Sequence, residues 1–136
     1  MAGETDLARL IAELEPRLDG RELVFCTIVG AAYGDRRELE PVAAMQEAEG
    51  LTLVLERARA EAAGLDYEGV FRMITLQVHS SLEAVGLTAA VADRLADLEI
   101  GANVIAGYHH DHVLVPADRA GEALRALEAL AAEVRR

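Results

Sequence analysis

Apolar residues recur along this chain in two rhythms, and each change of rhythm marks a predicted element. Leu7, Leu10, Ile11 and Leu14 return at helical spacing behind Asp6, a residue type suited to capping a helix start. Pro16 and the pair Asp19-Gly20 are expected to end that helix and make a turn. From Glu22 to Val29 the run Leu23, Val24, Phe25, Ile28, Val29 is too continuously apolar for an exposed edge and predicts a buried strand. Gly30 to Pro41 carries Gly34 and charges at Asp35, Arg36, Arg37, Glu38 and Glu40, and predicts a surface loop where a longer domain would carry a helix. Pro41 to Glu47 predicts a short strand, Leu51 to Leu55 another, and Glu56 to Ala63 a helix ended by Gly64 at the left-handed position past its last turn. Asp66 to Gly69 is the best boundary, but it is too short for a free linker, so the two halves are expected to pack together.

The second half opens with Phe71 to Val78, apolar and rich in strand formers. A polar loop from His79 to Ala84 follows, and Gly86 opens a helical pattern whose stripe is Leu87, Val91, Leu95 and Leu98. Asn103 to Gly107 and His112 to Val115 read as strands joined by the turn Tyr108-His109-His110-Asp111. Asp118 is the expected cap of a last helix along which Ala120, Leu124, Leu127 and Leu130 recur, with Arg135 and Arg136 at its negative end. This half therefore reads βαββα. The first half repeats the plan loosely, as strand, loop, strand, strand, helix. The expected division is an N-terminal helix over 1–20, an irregular first unit over 21–69 and a second unit over 70–136.

Composition narrows the class. With 136 residues and 52% hydrophobic content the chain can bury a real core, and with no Trp, three Tyr and two Phe that core is aliphatic. No apolar run approaches the ~18 residues a bilayer span needs. The acidic N-terminus lacks the basic flank and apolar stretch of a signal peptide, which points to the cytoplasm. Twenty-four acids face thirteen bases, all of them Arg, and the net charge of −11 argues against nucleic acid or anionic membrane as a partner. Cys26, inside LVFCTIV, reads as a buried reduced thiol.

The chemistry concentrates between His79 and Thr88. A helix starting near Gly86 presents free backbone N–H groups and partial positive charge, which suit a carboxylate. Gly86 admits a ligand close to the backbone, Ser80, Ser81 and Thr88 offer hydroxyls, and Glu83 can pair with an ammonium group. On spacing alone the plainer reading is the favoured one: Ser81 or Glu83 caps the helix and Gly86 makes the turn.

The strings LQVHSSLEAVGLTAAV (Leu76 to Val91), NVIAGYHHDHVLVP (Asn103 to Pro116) and EGLTLVLE (Glu49 to Glu56) carry a family likeness. They resemble small bacterial stand-alone proteins made of two ACT-like units, the second similar to the ACT modules of eukaryotic cytosolic arginine sensors. The resemblance covers about Leu23 to Leu127. It implies an α+β, ferredoxin-like (ACT) sandwich, βαββαβ in its full form, with antiparallel sheets and helices on one face. It implies a non-enzymatic regulatory protein that binds an amino-acid-like small molecule, pairs as a homodimer and acts on a regulated enzyme or other protein, without a cofactor. The implied ligand-binding residues are His79, Ser80, Ser81, Glu83, Val85, Gly86, Leu87 and Thr88, with Asn103, Ile105 and Tyr108 toward the ligand side chain. The Gly30 to Pro41 loop departs from the pattern, which expects a helix there.

Two other classes stay open. One is a structural interaction module without a metabolite. The other is metal binding through His109, His110 and His112, with Asp111 adding an oxygen and His79 the one further histidine. For catalysis, Ser80 or Ser81 beside His79 or His110 is no arranged triad, and no phosphate-binding glycine loop is present.

Overall fold

A computed structural model describes residues 6–78 and 85–135. In chain order the elements are α1 (Leu7–Ala12), β1 (Glu15–Leu18), β2 (Leu23–Ile28), a 3-10 turn (Arg37–Leu39), β3 (Ala43–Glu47), β4 (Gly50–Glu56), α2 (Arg57–Ala62), β5 (Phe71–Gln77), α3 (Leu87–Asp97), β6 (Asn103–Ala106), β7 (Asp111–Pro116), a second 3-10 turn (Ala117–Arg119) and α4 (Ala120–Arg135). They fall into a flanking unit, Met1–Gly20 with Arg72–Arg136, and an inserted unit, Arg21–Phe71.

The flanking unit has the strand order β1-β5-β7-β6. Alternation along β5 and β7 turns Ile74, Leu76, Val113 and Val115 to one face, where they join Leu10, Leu14, Val91, Leu95 and Leu127 in a single core. The helices show why. Leu87, Val91 and Leu95 follow one another at four-residue spacing on α3. Ala120, Ala123, Leu127 and Ala131 recur at three- and four-residue spacing on α4, where small side chains let the neighbouring helices approach. Arg94 of α3 makes a two-pronged ion pair with Glu133 of α4, at 2.9 and 2.8 Å.

β5-α3-β6-β7-α4 lacks only a closing strand to be βαββαβ, and β1 supplies it from the other end of the chain. Pro16 of β1 stands opposite Leu76 and Leu18 opposite Ile74. The turn expected from Pro16 onward therefore begins later, at Asp19. Pro16 is tolerated in a strand because β1 is an edge of this unit's sheet, where a ladder N–H is dispensable.

A six-residue helix such as α1 is too short to stand alone in water. It holds here because Leu10 and Ile11 are 0% and 7% exposed, because Asp6 accepts from the Arg9 N–H at 3.3 Å, and because Arg135 donates to the Ala12 carbonyl at 2.8 Å. The expected cap at Asp118 is not found. Asp118 lies inside the second 3-10 turn, which no side chain caps, and α4 begins at Ala120.

The inserted unit has the order β3-β4-β2, both pairs antiparallel. Val24 pairs with Leu55 and Cys26 with Leu53, and these four join Leu39, Leu51 and Ala60 in a second core. Cys26 is buried as expected, and burial raises its thiol pKa, with Asp66 adding to the rise. Gly64, at φ +71°, ends α2: its N–H donates to the Glu61 carbonyl and the Leu65 N–H to that of Ala60. Tyr67 ties the boundary segment back to α2, donating to Glu61 at 2.6 Å and accepting from Arg57 at 2.9 Å.

Candidate ligand site at the start of α3

Gly86 is the N-cap of α3 at φ +99°, a backbone region that L side chains rarely adopt. The first helical bond runs from the Ala90 N–H to the Gly86 carbonyl at 2.9 Å. The N–H groups of Leu87, Thr88 and Ala89 precede it and have no partner within the helix. Among the described residues no side-chain hydrogen bond caps this end, and no acidic residue stands in the first turn. A Cβ built on Gly86 would come within 2.9 Å of Leu7 Cδ2. The glycine is thus fixed twice, by its backbone angle and by Leu7 of α1.

Around it, Val85 is 82% exposed, Thr88 is exposed, and Leu87 is buried in the core, so Leu87 offers a ligand its N–H and not its side chain. His79, Ser80, Ser81 and Glu83 lie outside the described residues. Asn103 and Ile105 stand on β6, opposite Leu114 and His112. Val104 between them packs on the core, so both project from the other face of the sheet. Tyr108 is 80% exposed in the β6–β7 turn, its ring edge-on to His109 at 5.1 Å. The named residues therefore form two groups: Val85 to Thr88 at one helix start, and Asn103, Ile105 and Tyr108 on a hairpin.

The histidines separate as well. β7 starts at Asp111, so His110 falls in the turn while His112 is in the strand. There His112 Nδ1 lies 3.0 Å from Thr75 Oγ1 of β5. Burial lowers the His112 pKa below 6.5, nearby His110 lowers it further, and Asp111 opposes. Among the described residues no three of His, Cys, Asp or Glu converge as metal ligands.

Sequence reasoning missed two arginine contacts that fix the helix ends. One is Arg135 on Ala12; the other is Arg119, which donates to the Leu98 carbonyl at 3.0 Å just past α3. It also passed over Leu7 as the neighbour of Gly86, because periodicity names a helix's apolar face without naming what meets it.

The architecture is α+β and ferredoxin-like, helices over antiparallel strands. ACT-domain family models match residues 2–72 and 68–129. The chain belongs to the ACT-domain family and carries two such domains in tandem. α1 and β1, both inside the first match, pack with the flanking unit. Among solved structures, a Vibrio cholerae protein of unknown function, described as a possible transport protein, is 51% identical, with 92% of this chain and 95% of that one covered and a TM-score of 0.85. An Agrobacterium tumefaciens protein shares the fold at 15% identity, over 87% and 89% of the two chains, with a TM-score of 0.72. So does the ligand-free regulatory subunit of aspartate kinase from Thermus thermophilus, at 14% identity, 85% and 95% coverage and a TM-score of 0.62. No curated protein matches. Among the described residues no helix is long and apolar enough to cross a membrane.

Proposed function

We propose that this protein is a non-enzymatic sensor of an amino-acid-like small molecule, working as a cytoplasmic homodimer that regulates another protein. The observation that carries the reading is the start of α3. Three backbone N–H groups stand uncapped by any described side chain, behind a glycine held in the left-handed region. A carboxylate there meets hydrogen-bond donors and the positive end of the helix together. Membership of the ACT-domain family supports the regulatory role, and the likeness to an aspartate kinase regulatory subunit is in keeping with it.

In this reading the ligand carboxylate sits on the Leu87, Thr88 and Ala89 amides, Glu83 pairs with its ammonium group, and His79, Ser80 and Ser81 are further proposed contacts. Asn103, Ile105 and Tyr108 of the neighbouring unit in the homodimer meet its side chain. Thermal melting of the chain against the twenty amino acids tests it. A ligand at about 100 times its dissociation constant stabilises by about 2.7 kcal/mol, on the order of 10 °C for a domain this size. A flat panel contradicts the sensor and favours an interaction module. Light scattering is expected to return the mass of two chains, and the mass of one contradicts the dimer.

A further inference from the structure

The N-terminal segment holds both flanks of the connection between β5 and α3. On one side Glu15 of β1 stands opposite Gln77, the last residue of β5. On the other, Leu7 of α1 rests on Gly86. Among the described residues the three atoms nearest the position of a Gly86 Cβ all belong to Leu7: Cδ2, Cδ1 and Cγ, at 2.9, 3.5 and 3.7 Å. Glycine has no side chain to fix its own backbone, and φ +99° is one of several regions open to it. The contact from Leu7 therefore steadies the first turn of α3, at an end that no described side chain caps.

α1 in turn is kept in place by its neighbours and not by its own length, which is below that of a helix stable alone. Leu10 and Ile11 share a core with Leu87 and Val91 of α3 and with Leu127 and Ala131 of α4. The Ala12 carbonyl, at the end of α1, accepts from Arg135 of α4 at 2.8 Å. Glu13, at φ −92° and ψ 0°, makes the bend into β1, and β1 is laced to β5 by four residue pairs. The segment is thus anchored at β1, clipped at Ala12, and laid by its tip on α3. Segments so attached open locally at a lower free energy than the whole domain.

We propose that α1 is a strap over the start of α3. It lifts about Glu13 as a unit, and the first turn of α3 loosens when it lifts. The strap then regulates the ligand site, a consequence that rests on the reading of the α3 start given above. Leu7 is 37% exposed: one flank lies on Gly86, and the other is open at the residue preceding the 87–89 amides. A ligand held by those amides and touching Leu7 makes both contacts only with the strap down. It binds that state better and so keeps it closed, and by linkage a looser strap weakens the ligand.

Amide hydrogen exchange of the labelled full chain tests this at three reporters. The Leu10 N–H donates to the Asp6 carbonyl, the Glu13 N–H to that of Arg9 and the Ala90 N–H to that of Gly86. All three are expected to exchange through one opening, with a common urea dependence shallower than that of β7 amides. Leu7→Ala is expected to speed all three about tenfold. Arg135→Ala, which touches α1 and leaves Leu7 on Gly86, is expected to speed all three about threefold. An Ala90 rate unchanged in Arg135→Ala, or Leu10 and Glu13 exchanging only with β7 in global unfolding, overturns the strap. The twenty L-amino acids, added singly, supply the ligand arm. One that shifts the 87–89 amides is expected, at about ten times its dissociation constant, to slow Leu10 and Glu13 about tenfold. Binding there with no slowing overturns the linkage. Shifts at 87–89 with none of the twenty contradict the α3 site, while joint exchange of the three reporters still upholds the strap.

Discussion

Gly86 and Glu99 bracket α3 with left-handed backbone, at φ +99° and +58°, and only one of them is glycine. Past the helix end, Glu99 N–H donates to the Ala96 carbonyl at 2.9 Å and Ile100 N–H to that of Leu95 at 3.0 Å. This is the same stop that Gly64 gives α2, built on a residue that pays a steric penalty there. Glu99→Gly is expected to stabilise the chain by about 0.5–1 kcal/mol, the relieved strain less the glycine entropy. Urea unfolding checks it, and a loss of stability contradicts it. The Asp6 cap and the Gly64 stop were legible because Asp and Gly are the residue types those positions favour. The Glu99 stop was not, because nothing in a glutamate announces positive φ. His112 makes a pH prediction. The fold lowers its pKa below 6.5, so the unfolded chain binds its proton first as pH falls. Its contribution is fully present above pH 6.5 and is lost as pH drops toward the folded value. Urea midpoints are expected to fall over that interval, and His112→Asn to flatten this part of the profile. An unchanged slope in the variant contradicts the assignment.

At the scale of elements, the shortest pieces depend most on their neighbours. α1 is six residues long, yet Leu10 is fully buried and belongs to the core that α3 and α4 share. Leu10→Ala is expected to destabilise by about 2–5 kcal/mol. A loss of under ~0.5 kcal/mol at Leu10, the range of surface substitutions, contradicts the packing. Most strands and helices were readable from apolar period, including β4, α2, β5, α3 and the β6–β7 hairpin. β1 was not. Its proline and the following Asp-Gly carry turn chemistry, and only the pairing with β5 makes Pro16 an acceptable edge residue. Where the N-terminal helix docks was equally hidden, since its partner α4 lies more than a hundred residues away, between Ala120 and Arg135. The loop from Gly30 to Pro41 was legible as a loop, but the side-chain bridge to it from Gln46 was not.

At the scale of the whole molecule, the two halves of one plan differ in completeness. The flanking unit is a full βαββαβ, with its last strand donated by the N-terminal segment. The inserted unit keeps three strands and one short helix. The candidate site was partly legible: Gly86, Leu87 and Thr88 do form a helix start, because a glycine before an apolar stripe is a position signal as well as a composition signal. The grouping with Asn103, Ile105 and Tyr108 was read from resemblance, and the chain alone carried no spacing that joins β6 to α3.

Gly86→Asp, the obvious probe, strains the backbone and meets Leu7, so lost binding would say little. Thr88→Glu is cleaner. Thr88 is exposed in the first turn of α3, where an acid favours the helix by about 0.3–1 kcal/mol but opposes a bound carboxylate. The measurement is the melting shift given by the best amino acid of the panel, in the parent chain and in Thr88→Glu. A shift on the order of 10 °C is expected in the parent, with an unliganded variant at least as stable and no shift in the variant. A full shift retained in Thr88→Glu contradicts a carboxylate at the start of α3.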